Sequence, residues 1–336
     1  MAMRLDRLLP PLALLAALTA MHPSAAAAQN AALYRAATDR LIDAATKDSA
    51  AWNRIAELTD TFGHRLSGSE ALERAIDWTL ARMRSDGLEN VRGEPVMVPH
   101  WVRGEESAEL VAPRRKAMTM LGLGGSVGTP AGGLTAPVLV VTSFDDLQKR
   151  AADARGKIVL FDVPFTTYGQ TVAYRGAGAA AASRAGAVAM LLRSVASFSM
   201  NSPHTGSMRR DTTATPIPAA AITVEDAMLL HRLQDRGVTP SVHLTMNART
   251  LPDAPSRNVV AELRGRELPD EVVVLGGHID SWDVGQGAMD DAGGVVAAWE
   301  AVRLMKQLGL RPRRTVRVVG WTNEENGTRG GIGYRN

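Results

Sequence analysis

The chain has no cysteine among its 336 residues. Neither a disulfide framework nor a zinc–thiolate site can therefore form, and any zinc must be held by histidine and carboxylate ligands. It also lacks an excess of either charge: 38 Lys and Arg stand against 35 Asp and Glu, interspersed along the chain, for a formal +3. The densest basic cluster, Arg311, Arg313 and Arg314, reads as a solvated turn, so no nucleic-acid partner is expected. Past the amino-terminal segment no apolar run is long enough to cross a bilayer. The glycine-rich run LGLGGSVGTPAGG, from Leu121, has no Lys-Ser/Thr pair after it and no strand-to-helix transition around it. It reads as a linker or surface loop and not as a phosphate cradle. There is no internal repeat and no long disordered tract.

What is present bounds the class. With 45% hydrophobic residues over this length, the chain can bury a sizeable core and is expected to hold more than one domain. Arg4 and Arg7 precede an apolar run, Leu8 to Ala20, and small residues follow from Ser24 to Ala28. That is the layout of a secretory signal over residues 1–28, cleaved after Ala28, and it predicts an exported protein, periplasmic or secreted, without a membrane span.

The helical pattern from Ala31 to Leu58 puts Leu33, Ala37, Leu41, Ala45, Trp52 and Ile55 inside. Ser67 with Glu70 fits a capping box for a helix whose inner face is Leu72, Ile76, Leu80 and Met83, ending at Gly87. Val91 to Val102 reads as extended, with Pro95 and Pro99 arguing against a central strand. Beyond the glycine run, strands at Val138–Val141, Ile158–Phe161 and Val188–Leu192 alternate with helices, one of them the small-residue stretch GAGAAAASRAGA. Thr223 with Asp226 caps a further helix, and Ser241 to Asn247 alternates like an exposed strand. The expected organisation is therefore 29–124 as the first part of a main domain, 125–250 as a smaller inserted domain, and 251–336 as the resumed main domain. A strand at Asn258–Leu263 opens that last part. His64, His204, His231 and His243 have no carboxylate cluster in their sequence neighbourhoods and read as ordinary polar residues.

The chemistry gathers between Glu271 and Asn326. Val272 to Leu275 is a continuous apolar run, the pattern of a parallel-sheet strand buried on both faces. Val295, Trp299, Val302 and Met305 follow at helical spacing, with Gly309 and Pro312 as stop signals, and Thr315 to Trp321 reads as a second strand. This βαβ unit fixes an α/β fold class, and ligands of open α/β sheets gather outside the carboxyl ends of the strands. His278, Asp280, Asp290, Asp291, Glu324 and Glu325 all fall at that edge. One imidazole among several carboxylates suits a divalent metal. Residues two apart in extended chain share a side, so Asp280 can reach the second ring nitrogen of His278 and fix its tautomer. Asp290, in a glycine-flanked turn, is placed where one carboxylate could bridge two metals. Glu324 and Glu325 are adjacent and point apart, so that one can bind metal while the other faces a metal-bound water.

HIDSWDVGQGAMDDAGG, WTNEENGTRGG and TFGHRLSGSEALERAIDWTLARM together resemble the M28 family of co-catalytic zinc peptidases, most closely its carboxypeptidase Q-like branch. The middle segment resembles the protease-associated domain that this branch carries as an insertion. The resemblance implies a zinc-exopeptidase domain with a mixed or parallel sheet and two zinc ions. It implies His278 and Glu325 on different ions, Asp290 bridging them, Asp280 orienting His278, and Glu324 as general base to a bridging hydroxide. The implied activity is hydrolysis of short peptides, of carboxypeptidase or dipeptidase type. An aminopeptidase of the same family and a non-catalytic exported scaffold remain as alternatives, and a homodimer stays open. In the family each zinc takes one further ligand, an Asp and a His from later in the chain. Neither occurs before Asn336, so the expectation is a fragment of a longer gene product, itself inactive, whose function is that of the complete protein.

Overall fold

The computed structural model describes residues 25–198 and 201–336. Residues 1–24, which carry most of the expected leader, lie outside them. Helix α1 spans Ala25–Lys47. Its expected inner face is not enclosed, because Ala37 and Leu41 are only half-buried and Ala45 is exposed.

From Asp48 onward the chain forms one compact unit. Helices α2 (Ala50–Phe62) and α3 (Glu70–Ser85) lead into strands β1 (Glu89–Val102), β2 (Glu106–Ala112), β3 (Lys116–Met118), β4 (Met120–Gly122) and β5 (Leu134–Val141). Then come α4 (Phe144–Lys149), α5 (Ala151–Ala154), β6 (Ile158–Phe161), α6 (Tyr168–Arg184), β7 (Ala189–Arg193), β8 (Ala219–Ile222), α7 (Val224–Asp235) and β9 (Ser241–Met246). The chain closes with β10 (Arg249–Leu263), β11 (Leu268–His278), α8 (Gly293–Gln307), β12 (Arg314–Trp321) and α9 (Arg329–Arg335).

The first sheet has the order β1-β10-β12-β11. β1, with its two prolines, is an edge strand antiparallel to β10, as the sequence suggests. β11 and β12 run parallel with α8 between them, Val273 opposite Val316 and Leu275 opposite Val318. One face of this sheet packs Val259, Ala261 and Val318 against Leu72, Ile76 and Met83 of α3 and Val295 and Trp299 of α8, all fully buried or nearly so. At about 1.5–3 kcal/mol for each fully buried large apolar side chain, this face dominates the local energetics. The expected double burial of Val272–Leu275 does not hold: their exposures run from 36% to 45%. β11 is the last strand of its sheet, and α8 covers only one of its faces. An apolar run announces a strand, but not how many neighbours it has.

The capping box is also corrected. Ser69, not Ser67, caps α3, its Oγ accepting from the Leu72 N–H at 3.2 Å. Ser67 is buried and turned toward the carboxyl edge of the first sheet. Trp52, expected inside, is 73% exposed. α2 is instead tied down by Arg54, which bridges Asp86 at 2.8 Å and Glu300 at 2.7 Å and lies over the Trp299 ring.

The second sheet has the order β3-β2-β9-β5-β6-β7-β8-β4, with β5 to β8 parallel. Its strands begin at Glu106 and end at Met246, so the boundary expected at Gly125 falls inside it. β9 is an interior strand between β2 and β5, with Val242, Leu244 and Met246 wholly buried, and is not the exposed strand that its alternation suggests. The glycine run is no linker either. Leu123 and Ser126 are completely buried, the Trp101 indole donates to the Ser126 carbonyl at 2.9 Å, and Gly124 lies so close to the edge atoms of the Trp282 ring that a Cβ would collide with them. This crossing joins the second sheet to the loop that follows β11.

Candidate metal centre

The donors gather where the sequence places them, at the carboxyl ends of β11 and β12. His278 is the last residue of β11 and its side chain is 11% exposed. The loop after it returns through Ala288–Ala292, whose backbone is non-helical at Asp290 and Asp291, and presents Asp290 to the imidazole. The Asp290 carboxylate is 2.9 Å from His278 Nε2 and 77% exposed. One donor atom each from His278, Asp290 and Glu325 lie within 4.8 Å of one another. Glu324 stands beside them, its Oε2 3.9 Å from His278 Nε2 and its side chain 55% exposed.

Asp280 does more than the expected single task. His278 Nδ1 faces it, 3.0 Å from its backbone carbonyl and 3.5 Å from its carboxylate. A proton on Nδ1 donated to that residue leaves Nε2 free to ligate. The carboxylate itself, wholly buried, accepts the backbone N–H groups of Glu324 at 3.0 Å and Glu325 at 3.2 Å. One side chain therefore sets both the histidine tautomer and the position of the two glutamates.

Asp291 takes a different part. Its carboxylate accepts from the Gly294 N–H at 3.1 Å and the His278 N–H at 3.0 Å, capping α8 and fixing the histidine backbone. It is not one of the clustered donors.

Three supporting residues were not assigned to the site by the sequence reading. Arg65 is completely buried and donates from Nε to Ile279 O at 2.9 Å and from its Nη1 to Gln286 O at 2.7 Å and Gly63 O at 2.9 Å. It thereby pins both ends of the loop that carries Asp290. Burial pulls its pKa down to about 10, opposed by the Asp280 charge, so it stays a cation at neutral pH. Ser67 Oγ lies 3.5 Å from the Asp280 carboxylate and accepts from Asn323 Nδ2 at 3.0 Å. Asn323 has φ +61° and turns the chain directly before the two glutamates. Arg65 and Ser67 fall in the segment TFGHRLSGSEALERAIDWTLARM that carries part of the resemblance, but no motif spacing assigns them a role. His64, by contrast, is exposed and outside the cluster.

The electrostatics of the cluster are set by its burial and by the mutual charges of the imidazole and the carboxylates. Burial would lower the His278 pKa, but the hydrogen bond and charge of Asp280 and the Glu325 carboxylate push it up to about 10. Burial and the Asp290 charge push Glu325 up to about 7, against the pull of His278. A cavity of about 590 Å³ opens over the cluster. Asp290, Glu324 and Glu325 form one wall, and Tyr168, Arg175 and His204 of the second sheet's connections form the other. Ser207 ties the two walls together, its Oγ donating to the Glu325 carbonyl at 2.8 Å.

Residues 258–336 match the model of peptidase family M28, and residues 107–230 match that of the PA domain. A peptidase M28 precursor from Shewanella amazonensis superposes with a TM-score of 0.85 at 36% identity, over 90% of this chain and 70% of that one. The chain therefore belongs to peptidase family M28 and has its mixed α/β fold. It is 54% identical over 283 residues to carboxypeptidase Q of Mus musculus, covering 84% of this chain and 60% of that protein. The chain thus spans about 60% of the length of that curated relative. A zinc aminopeptidase from Bacillus subtilis shares the fold at a TM-score of 0.60 and 22% identity, over 82% of this chain and 61% of that one.

Proposed function

We propose that this protein is a zinc-dependent exopeptidase that hydrolyses short peptides, of carboxypeptidase or dipeptidase type, and that it acts after export. The observation that carries the reading is the convergence of His278, Asp290 and Glu325 within 4.8 Å, with Glu324 beside them facing a cavity.

The donor set suits zinc. It offers a half-buried imidazole whose Nδ1 is engaged by Asp280 and whose Nε2 points at two carboxylates, and among the described residues it includes no thiolate. His278 and Glu325 would each hold an ion, with the Asp290 carboxylate shared between the two. When bound, zinc supplies a Lewis acid and lowers the pKa of water to about 7.

The chain's own residues do the rest. Asp280 keeps the His278 proton on Nδ1 and holds the Glu324 and Glu325 backbone through their N–H groups. The Glu324 carboxylate, exposed to the cavity, takes a proton from the attacking water and passes it to the leaving amine. The name of the carboxypeptidase Q relatives favours a carboxypeptidase, and an aminopeptidase of the same family is the alternative. We further propose that the second sheet, Glu106 to Met246, is a protease-associated-like insertion that covers the site.

Removal of zinc by a chelator should abolish dipeptide hydrolysis, and added zinc should restore it. Full activity after exhaustive metal removal would exclude this chemistry. Tight zinc binding with no hydrolysis of any short peptide would favour a non-catalytic scaffold.

A further inference from the structure

The loop that leads from His278 to Asp290 is fixed at its two ends and at its tip by different parts of the molecule. Arg65 holds the ends through the carbonyls of Ile279 and Gln286, and the Ser281 N–H donates to the Arg65 carbonyl at 3.1 Å. Among the described residues the tip, Trp282 to Gly285, makes no hydrogen bond to a strand of the first sheet. Its one charged side chain, Asp283, is gripped from elsewhere. Arg103 donates to it from Nε and from Nη2, both at 2.8 Å, and the two side chains are only 9% and 15% exposed.

Arg103 stands at the junction of the two sheets. It directly follows β1, and Glu106, three residues on, opens β2. The chain returns from β9 to β10 beside this crossing, with the Asn247 N–H donating to the Glu105 carbonyl at 3.0 Å. Gly104, at φ +69°, lets the two crossings touch, since a Cβ there would collide with Asn247. Two adjacent connections between compact sheets have the geometry of a hinge. The guanidinium spans it. Its Nη1 donates to the carbonyl of Gly122, the last residue of β4, and lies 3.4 Å from the Glu106 carboxylate. That carboxylate in turn accepts the Gly122 N–H at 3.0 Å. Nη1 is therefore committed to the second sheet, and Nε and Nη2 to the loop that carries Asp290.

We infer that Arg103 is a positioning residue for the metal centre: from the junction of the two sheets it holds the tip of the Ile279–Gly287 loop, and with it the bearing of Asp290 on His278. This rests on the metal-centre reading and deepens it. The second sheet then belongs to the donor framework as well as to the cavity wall. Loss of one partner of a buried pair leaves the other charge uncompensated, so a change at either Arg103 or Asp283 should loosen the loop.

The test compares the full chain with its Arg103→Lys and Asp283→Asn variants and with the double variant. Each is measured by chelator competition for zinc and, free of metal, by amide hydrogen exchange. Lysine keeps the charge but cannot reproduce the planar fork. Groups that orient metal ligands are worth about 10- to 100-fold in affinity, and this pair acts one contact further out. Each single variant should therefore bind zinc about 10-fold more weakly, and the double variant should lose no more than about the same, because the pair acts as a unit. Exchange should quicken across residues 280–291 and keep the parental rate in β6 and β7. Parental zinc affinity in both single variants, or loop exchange no faster than in the parent, would overturn the assignment. So would equal quickening in the loop, β6 and β7, the mark of a pair that only stabilises the fold. If Asp283→Asn does not fold, Arg103→Lys carries both measurements. A parent that binds no zinc would remove the metal-centre reading, and the exchange comparison would then decide by itself whether Arg103 holds the loop.

Discussion

The two sheets of this chain are enclosed to different degrees, and the candidate donors sit at the edge of the less enclosed one. In the eight-stranded sheet, Ile158, Leu160, Met190 and Leu191 are wholly buried, with α7 packed on one face and α4 to α6 on the other. In the four-stranded sheet, the strand that ends in His278 leaves Val272 to Leu275 at 36–45% exposure. Apolar enclosure cannot fix donor atoms at such a strand end. Hydrogen bonds do so instead, and the side chains that make them are the buried ones: Asp280, Arg65 and Asn323 are each 0% exposed. The donor loops are thus held by polar clamps at the edge of a sheet packed on one face, whereas the eight-stranded sheet is packed on both.

The comparison can be broken in several places. Glu324→Gln should lower turnover by about 10²–10⁴-fold, roughly 3–5 kcal/mol in the barrier, while zinc content stays at the parental level. Rate measurement beside metal analysis checks both halves, and parental turnover would remove Glu324 from its role. Leu191→Ala, in the packed sheet, should cost about 2–5 kcal/mol in urea unfolding yet leave zinc affinity within about 2-fold. A parallel fall in zinc affinity would mean that the clamps do not hold the donors independently of that packing. Asp280→Asn should act in the opposite sense. An amide cannot accept both glutamate N–H groups, so zinc affinity should drop by about 10- to 100-fold in a chelator competition, with a smaller change in stability.

The folded, metal-free site also predicts a pH dependence. His278 is pushed up to about 10 and Glu325 up to about 7, so below neutrality both carry protons that zinc must displace. Zinc affinity should rise about tenfold per pH unit above neutrality, from His278 alone, and more steeply below it, where Glu325 also releases a proton. Titrations between pH 6 and 8 would show it, and a flat profile would count against these donors. The smallest effect is expected on the open strand, where Val273→Thr should change stability by no more than about 0.5 kcal/mol.

Much of the candidate metal site is legible in the sequence, because its donors lie in short loops directly after two apolar runs. His278, Asp290, Glu324 and Glu325 need only the βαβ unit to be brought together. The clamps are not legible in the same way. Ser67 looks like a helix cap, since its partner Asn323 is far along the chain, and Arg65 is hidden beside a more conspicuous histidine. The exposure of Val272–Leu275 depends on which strands flank β11, which an apolar run does not encode. The second sheet begins at Glu106 because β2 and β3 pair antiparallel with each other and β2 with the distant β9, a long-range match that the glycine run at Leu121 masks. Arg175 and His204 join the cavity only through the packing of one sheet over the edge of the other.

The most direct measurement is a calorimetric zinc titration of the protein and of its His278→Ala variant, with folding of each checked by near-ultraviolet circular dichroism. The polar clamps hold the remaining donors in place without the imidazole, so the variant should stay folded. The parent should bind zinc with release of protons, and the folded variant should bind it at least about 10²-fold more weakly, having lost the one nitrogen ligand of the cluster. A folded His278→Ala protein that bound zinc as tightly as the parent would show that the metal centre lies elsewhere.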